Sequence, residues 1–174
     1  MSKNKKIKIL WCGEASFLNT GYAIYAKEVL GRLHKTGKYE IAELACYSKA
    51  DNPKNDSVPW TVYPNMPVTE QETHAYDTNA KYQFGEWRFD YVCLDFQPDV
   101  VIDIRDWWMM EYQQRAAFRD FYKWIIMPTV DSKPQQEQYI NTYMSADGVL
   151  TYSEFGKEVL EEDSNDFIDV AGVA

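Results

Sequence analysis

Short apolar runs recur along this chain, and each is followed by a polar turn and then by residues at helical spacing. The clearest runs are Ile7–Cys12, Glu40–Tyr47, Val100–Ile104, Lys123–Val130 and Gly148–Tyr152. Between the first two, Ala23, Ala26, Val29, Leu30 and Leu33 recur with the period of one helix face. Strands that alternate with helices are joined by crossovers, so they assemble into a mostly parallel sheet covered by helices on both faces. The fold class is therefore α/β. Residues 1–174 are read as a single domain, with a core of ordinary size for that length.

The punctuation between the runs is legible. Gly13 ends the first strand, Asn19 or Thr20 can cap the first helix, and Gly37 marks its exit. Residues 50–85 form a loop-rich excursion, broken by Pro53, Pro59, Pro64 and Pro67, with one short strand near Trp60–Tyr63. Such a segment is either a binding loop or a plain structural connection. Helices are expected over Glu86–Phe96, Met109–Tyr122 and Pro134–Met144, with Pro134 at the start of the last. Ser153 caps a further helix running to Glu162. A final strand at Phe167–Val170 implies that more chain follows it.

Composition removes several function classes. The formal net charge is -9, whereas a duplex-binding domain needs a basic footprint to neutralise phosphates. The cluster Lys3, Lys5, Lys6 and Lys8 reads as a solvated tail, so direct nucleic-acid binding is not expected. No apolar stretch reaches the roughly 18 residues of a membrane span, and no signal peptide opens the chain. A cytoplasmic protein is the expectation. Cys12, Cys46 and Cys93 are widely spaced inside apolar runs and read as buried thiols. His34 and His74 are isolated, so no metal site and no covalently bound cofactor are expected.

In an open α/β sheet, ligands bind beyond the carboxyl ends of the strands. The first such position is the glycine-flanked loop Gly13–Gly21, which contributes Gly13, Asn19, Thr20, Gly21 and the adjacent Tyr22. It runs into a helix N-terminus, where free amides and the helix dipole favour an anion such as a diphosphate. It matches neither GxGxxG nor GxxxxGK[ST], so a plain strand-to-helix turn is an equal reading. After the 100–104 strand come Arg105 and Asp106, which pair or flank the strand end. Trp107 and Trp108 follow, either as core or as a platform for a sugar ring. Asp131 ends the next strand; it can accept a proton from an acceptor hydroxyl or cap the following helix. Ser153 and Glu154 follow the 148–152 strand. No D-x-D triplet occurs.

Four segments together resemble the N-terminal domain of family-4-like GT-B glycosyltransferases (glycosyl transferases group 1). Lys8-Ile9-Leu10-Trp11 through Asn19-Thr20-Gly21-Tyr22-Ala23 is similar to their opening strand and Thr-Gly-aromatic turn. Gln97-Pro98-Asp99-Val100-Val101-Ile102 resembles their x-Pro-Asp-Val-Val strand. Pro128-Thr129-Val130-Asp131 with Pro134 resembles their Pro-x-x-Asp…Pro segment. Ala146-Asp147-Gly148 through Ser153-Glu154-Phe155-Gly156 resembles their Ala-Asp…Ser-x-x-Gly segment. The likeness spans about residues 7–157 and fails near 50–85.

The resemblance implies a Rossmann-like half of a two-domain enzyme, with the donor-gripping C-terminal domain absent from this chain and supplied in cis or in trans. It implies transfer of a sugar from a nucleotide-sugar co-substrate, a UDP- or GDP-sugar, to an unidentified acceptor, without a metal. The Gly13–Tyr22 loop would face the donor diphosphate. Asp131 and Asp106 would be the catalytic candidates, and Trp107, Arg105, Ser153 and Glu154 the acceptor-side contacts. A non-catalytic acceptor-binding module and a Rossmann-type nucleotide binder are the alternatives.

Overall fold

The computed structural model describes residues 5–174, so Lys3 of the amino-terminal lysine cluster lies outside the described residues. Seven strands form one parallel sheet: β1 (Ile7–Glu14), β2 (Tyr39–Cys46), β3 (Thr61–Pro64), β4 (Val100–Asp103), β5 (Lys123–Ile126), β6 (Gly148–Thr151) and β7 (Val170–Val173). Their order is β3-β2-β1-β4-β5-β6-β7, and each neighbouring pair is parallel. The direction of winding reverses between β1 and β4. In open α/β sheets such a reversal is where ligands bind, beyond the carboxyl ends of the two strands.

Residue alternation along the strands builds two cores. Leu10 and Cys12 of β1, Leu44 of β2, Val101 of β4 and Trp124 of β5 face helix α3 (Glu86–Phe96), helix α5 (Glu137–Met144) and helix α6 (Glu154–Asp163). Trp11 and Ile41 face the other way, against Ala26 and Leu30 of helix α1 (Gly21–Lys35). All three cysteines are buried. Burial lifts the Cys46 thiol to about 11 and that of Cys93 to about 12. At neutral pH these are inert packing groups rather than nucleophiles.

Local chemistry explains the element ends. Thr20 caps α1, accepting from the Ala23 amide at 3.3 Å. Arg32, His34 and Lys35 complement the dipole in its last turn. Gly37, with φ of 68°, turns the chain toward β2. The 50–85 segment is more regular than expected: a 3-10 turn at Pro53–Ser57, β3, helix α2 (Glu70–Asp77) and a second 3-10 turn at Ala80–Phe84. Thr69 and Glu72 form a capping box at the start of α2.

Gly13 lies inside β1, paired with Ala45, and does not end the strand. Four further expected elements differ. The helix expected over Met109–Tyr122 is one turn, α4 (Trp107–Met110), followed by 3-10 turns at Glu111–Arg115 and Arg119–Phe121. Tyr112 and Gln113 are both buried there, and two consecutive inward residues fit a tight turn rather than an amphipathic helix. β5 ends at Ile126 instead of Val130, since only Lys123–Ile126 has register partners on β4. α5 starts at Glu137 rather than Pro134. The Gln135 amide is taken by Asp163 Oδ2 at 2.6 Å, and its side chain donates to the Ser132 carbonyl at 2.7 Å. β7 is shifted from Phe167–Val170 to Val170–Val173, because Asn165 and Asp166 turn the chain with φ of 53° and 61°.

Candidate functional site

The carboxyl ends of β1, β4 and β5 bring together the loop 15–20, the residues after β4 and the segment 127–131 after β5. A hydrogen bond at 2.9 Å between Tyr22 Oη and Thr129 Oγ1 ties the start of α1 to the last of these. The loop itself is braced: Ala15 donates to the Cys46 carbonyl at 3.0 Å and Leu18 to the Ala15 carbonyl at 2.9 Å. Thr20 also donates its hydroxyl to the Glu14 carboxylate. Gly13 is buried and Asn19, Thr20 and Gly21 are exposed. A Cβ at Gly21 would meet nothing within 4 Å. The fold therefore does not require glycine there, and the space over the first turn of α1 is open.

Asp106 is half-buried beside three phenols. Burial, then the Asp106 charge, pushes the Tyr143 hydroxyl above its ordinary range, with smaller contributions from Tyr139 and Asp131. Tyr152 is raised by burial and then by Tyr22, Tyr25 and Asp106. Tyr22 is raised by burial, opposed by its bond to Thr129, and raised again by Asp106 and Glu14. All three phenols are neutral hydroxyls at neutral pH, able to donate and accept. Tyr25 and Tyr152 pack edge to face at 5.9 Å. Asp131 is exposed and forms no hydrogen bond among the described residues. α5 takes Gln136, not Asp131, as its N-cap residue.

The other expected site residues divide by accessibility. Trp107 is half-buried and stacks on Tyr139 of α5, with ring centroids 4.6 Å apart and planes at 24°. Trp108 is 41% exposed and meets the Phe84 ring edge-on at 4.9 Å. Ser153 Oγ caps α6 by accepting from the Gly156 amide at 3.1 Å, while Glu154 is exposed in the first turn.

Arg105 requires a correction. Its partner is Asp103, not Asp106, and at 1% exposure it lies beneath the rim rather than on it. Nε donates to Asp103 Oδ1 at 2.7 Å, Nη2 donates to Oδ2, and Nη1 donates to the Phe84 carbonyl at 2.9 Å. Asp106 is β-extended and unpaired with it because the guanidinium turns inward, under the chain. Gln113 completes the network, donating to Asp103 Oδ2 at 2.7 Å.

Sequence reasoning missed Glu43. It lies in the middle of β2, 1% exposed, and its Oε2 accepts from the Ser16 amide of the loop at 3.4 Å. The available signal was an acid at the centre of the apolar run Ile-Ala-Glu-Leu-Ala-Cys. Tyr25, Thr129, Tyr139, Tyr143 and Tyr152 were also missed, since nothing local distinguishes them from core or loop residues.

No protein-family model matches the chain, and no curated protein matches it in sequence. Solved structures do. The UDP-GlcNAc 2-epimerase from Methanocaldococcus jannaschii aligns with a TM-score of 0.56 at 16% identity, over 97% of this chain and 46% of that one. The UDP-GlcNAc 2-epimerase from Neisseria meningitidis bound to UDP-GlcNAc gives 0.58 at 16% identity, over 95% and 46%. Arabidopsis thaliana UGT89C1 complexed with UDP-L-rhamnose gives 0.56 at 11% identity, over 94% and 51%. The chain has the Rossmann-like fold of one GT-B half. It spans about half the length of these structures. These neighbours are GT-B-type UDP-sugar enzymes, mainly epimerases, and no family model supports the narrower family-4-like resemblance. Among the described residues no helix is long and apolar enough to cross a membrane.

Proposed function

We propose that this chain is the acceptor-side half of a nucleotide-sugar glycosyltransferase, acting with a second, donor-binding domain. The observation that carries the reading is the set of residues gathered at the carboxyl ends of β1, β4 and β5, where the winding reverses. There the open first turn of α1, the Tyr22–Thr129 tie and the carboxylates of Asp106 and Asp131 share one rim. Asp131 is the candidate base, because its exposed carboxylate has no donor among the described residues and is placed to accept an acceptor hydroxyl proton. Asp106 is the second candidate, placed among three neutral phenols that suit a polyhydroxylated ligand. The amides of the Gly13–Tyr22 loop are the groups available to a diphosphate. Trp107, Glu154 and Ser153 border the same rim, with the Ser153 hydroxyl committed to its cap. Arg105 supports the rim from below and offers no charge to a ligand.

Sugar epimerisation is the second reading, favoured by the number of UDP-GlcNAc 2-epimerases among the structural neighbours. The test is turnover of a UDP- and GDP-sugar panel by the chain joined to a donor-binding half, in cis or in trans, with and without saccharide acceptors. Nucleotide release that depends on an acceptor supports transfer. Conversion of the sugar without an acceptor supports epimerisation. Acceptor binding with no nucleotide-sugar turnover supports a non-catalytic module, and tight flavin or dinucleotide binding by this chain alone overturns the proposal.

A further inference from the structure

Glu43 is the one buried carboxyl under the candidate loop with no cation to balance it among the described residues. It stands on β2 opposite Trp11 of β1 and Val62 of β3. Its Oε2 receives the Ser16 amide, while Oε1, the Ser16 hydroxyl and the Trp60 indole N–H form no complete hydrogen bond. Ser16 is 1% exposed and Trp60 9%. Three unsatisfied polar atoms in one buried cluster are a costly arrangement that a well-packed strand would avoid. All of them converge on the residue that anchors the loop between β1 and α1.

The titratable surroundings are sparse. Glu14 of β1 and Glu40 of β2 alternate to the opposite sheet face, with the Cys12 and Leu44 core. Tyr39 lies further down β2 on Glu43's own face. From α1, Tyr25 packs in the same apolar cluster, and His34 meets the Trp60 ring with centroids 6.4 Å apart. Lys27 and Glu28 of α1 are exposed. β3 brings Thr61 and Val62, neither titratable. Burial raises the Glu43 carboxyl to about 7, with Ser16 and Trp60 opposing the rise and no charged group entering the balance.

We propose that Glu43 is the positioning residue of the β1–α1 loop, holding Ser16 through its carboxyl group, and that an anion seated on this loop binds together with a proton taken up by Glu43. The second half of this statement rests on the nucleotide-sugar reading above; the first half does not. The linkage is electrostatic. A second negative charge near an unpaired buried carboxylate disfavours its ionised form, and a ligand that raises a pKa must bind more tightly as the pH falls through that pKa. The protonated carboxyl also gains a donor for the unpartnered Ser16 hydroxyl.

The experiment is a pH titration of the whole chain from pH 5 to 9 by amide NMR, for the wild type and for Glu43→Gln. The Ser16 amide of the wild type is expected to move with a midpoint near 7, and that response is expected to vanish in Glu43→Gln. Glu43→Gln keeps an acceptor for the Ser16 amide, so it separates loss of a titration from loss of fold. A Ser16 amide that is flat across this range, or that still titrates in the variant, overturns the positioning role. Adding UDP at saturation to the chain joined to a donor-binding half is then expected to raise the wild-type midpoint by at least half a pH unit. A midpoint unmoved by bound UDP overturns the proton uptake. Failure of UDP to bind at any pH overturns the nucleotide-sugar reading of the loop and the uptake with it, while the Ser16 response still decides the positioning role by itself.

Discussion

Replacing Arg105 by Met separates a structural role from a ligand-binding one. In the wild type the guanidinium and the Asp103 carboxylate are 1% and 0% exposed and form a two-pronged pair. Two unit charges about 4 Å apart at an effective dielectric of about 20 attract by about 4 kcal/mol. Methionine fills most of the volume but leaves Asp103 buried with only Gln113 as a donor, and it removes the 2.9 Å bond to the Phe84 carbonyl. Breaking one partner of a buried pair typically costs 3–5 kcal/mol, and we expect about 4 here. That is a large share of the roughly 5–15 kcal/mol by which domains are stable. The assay is urea unfolding followed by tryptophan fluorescence at pH 5 and pH 8. Burial already lifts the Asp103 carboxyl, while Arg105 and Gln113 pull it back. Without Arg105 the rise grows. A group whose folded pKa is raised holds its stability below the unfolded value and loses it as pH rises, so the variant's deficit should be larger at pH 8 than at pH 5. Replacing both residues, Arg105→Met with Asp103→Leu, should recover most of the loss. A loss under about 1 kcal/mol at pH 8 for the single variant, or a double variant as weak as the single, would refute the reasoning.

Three further outcomes are expected. Glu43→Gln should remove a pH slope: a carboxyl raised from 4.5 to about 7 accounts for about 3 kcal/mol of stability that is present at acidic pH and lost between pH 5 and 8. Parallel unfolding curves of wild type and variant at pH 5 and 8, with no change in their difference, would contradict this. Gly85→Ala should cost about 3 kcal/mol by urea unfolding, because φ is 105° and the new Cβ would lie 2.8 Å from Leu44 Cδ2. Gly21→Ala should leave stability within about 1 kcal/mol of wild type, since that Cβ meets nothing. Under the proposed function it should still lower nucleotide-sugar turnover at least tenfold; a variant with full activity would move the ligand away from this loop.

The sheet was legible because its strands are buried on both faces and stand out as apolar runs. Ile7–Cys12 and Val100–Ile104 need no tertiary context to be recognised. The helix starts were legible where a side chain does the capping, as at Thr20 and Ser153. The region 105–122 was not, because its conformation is set by what is buried: Met110, Tyr112 and Gln113 point into the core and wrap the Asp103–Arg105 pair. Of the candidate site, sequence marked Asp106, Asp131 and the Gly13–Tyr22 loop by their position after strands. It had no means of knowing that Arg105 turns inward, that Ser153 is spent on a cap, or that Glu43 reaches the loop from the neighbouring strand. Those facts depend on pairings between residues far apart in the chain.

The strand-end aspartates show why position alone is an incomplete guide and partner accounting is a better one. Asp99 and Asp147 precede strands, and both carboxylates are consumed there. Asp99 Oδ2 accepts the Lys8 amide at 2.8 Å, and Asp147 takes the Trp124 amide at 2.9 Å together with Arg119 and Lys123. Each pins its strand to the one beside it, at the amino-terminal end of the strands, opposite the candidate site. This gives the Pro-Asp-Val-Val and Ala-Asp segments a structural reason to exist. Asp103 is consumed by Arg105 and Gln113. Among the described residues Asp106 and Asp131 have no such partners, and a carboxylate left free on a strand-end rim is the kind that can accept a proton from a ligand. The same accounting limits what this half can do alone. Glu14, Asp106 and Asp131 give the rim negative charge while Arg105 is neutralised below it. A diphosphate here would meet backbone amides and carboxylates. Under the proposed function, the loop amides meet the diphosphate, and the cations that neutralise the leaving nucleotide come from the second domain.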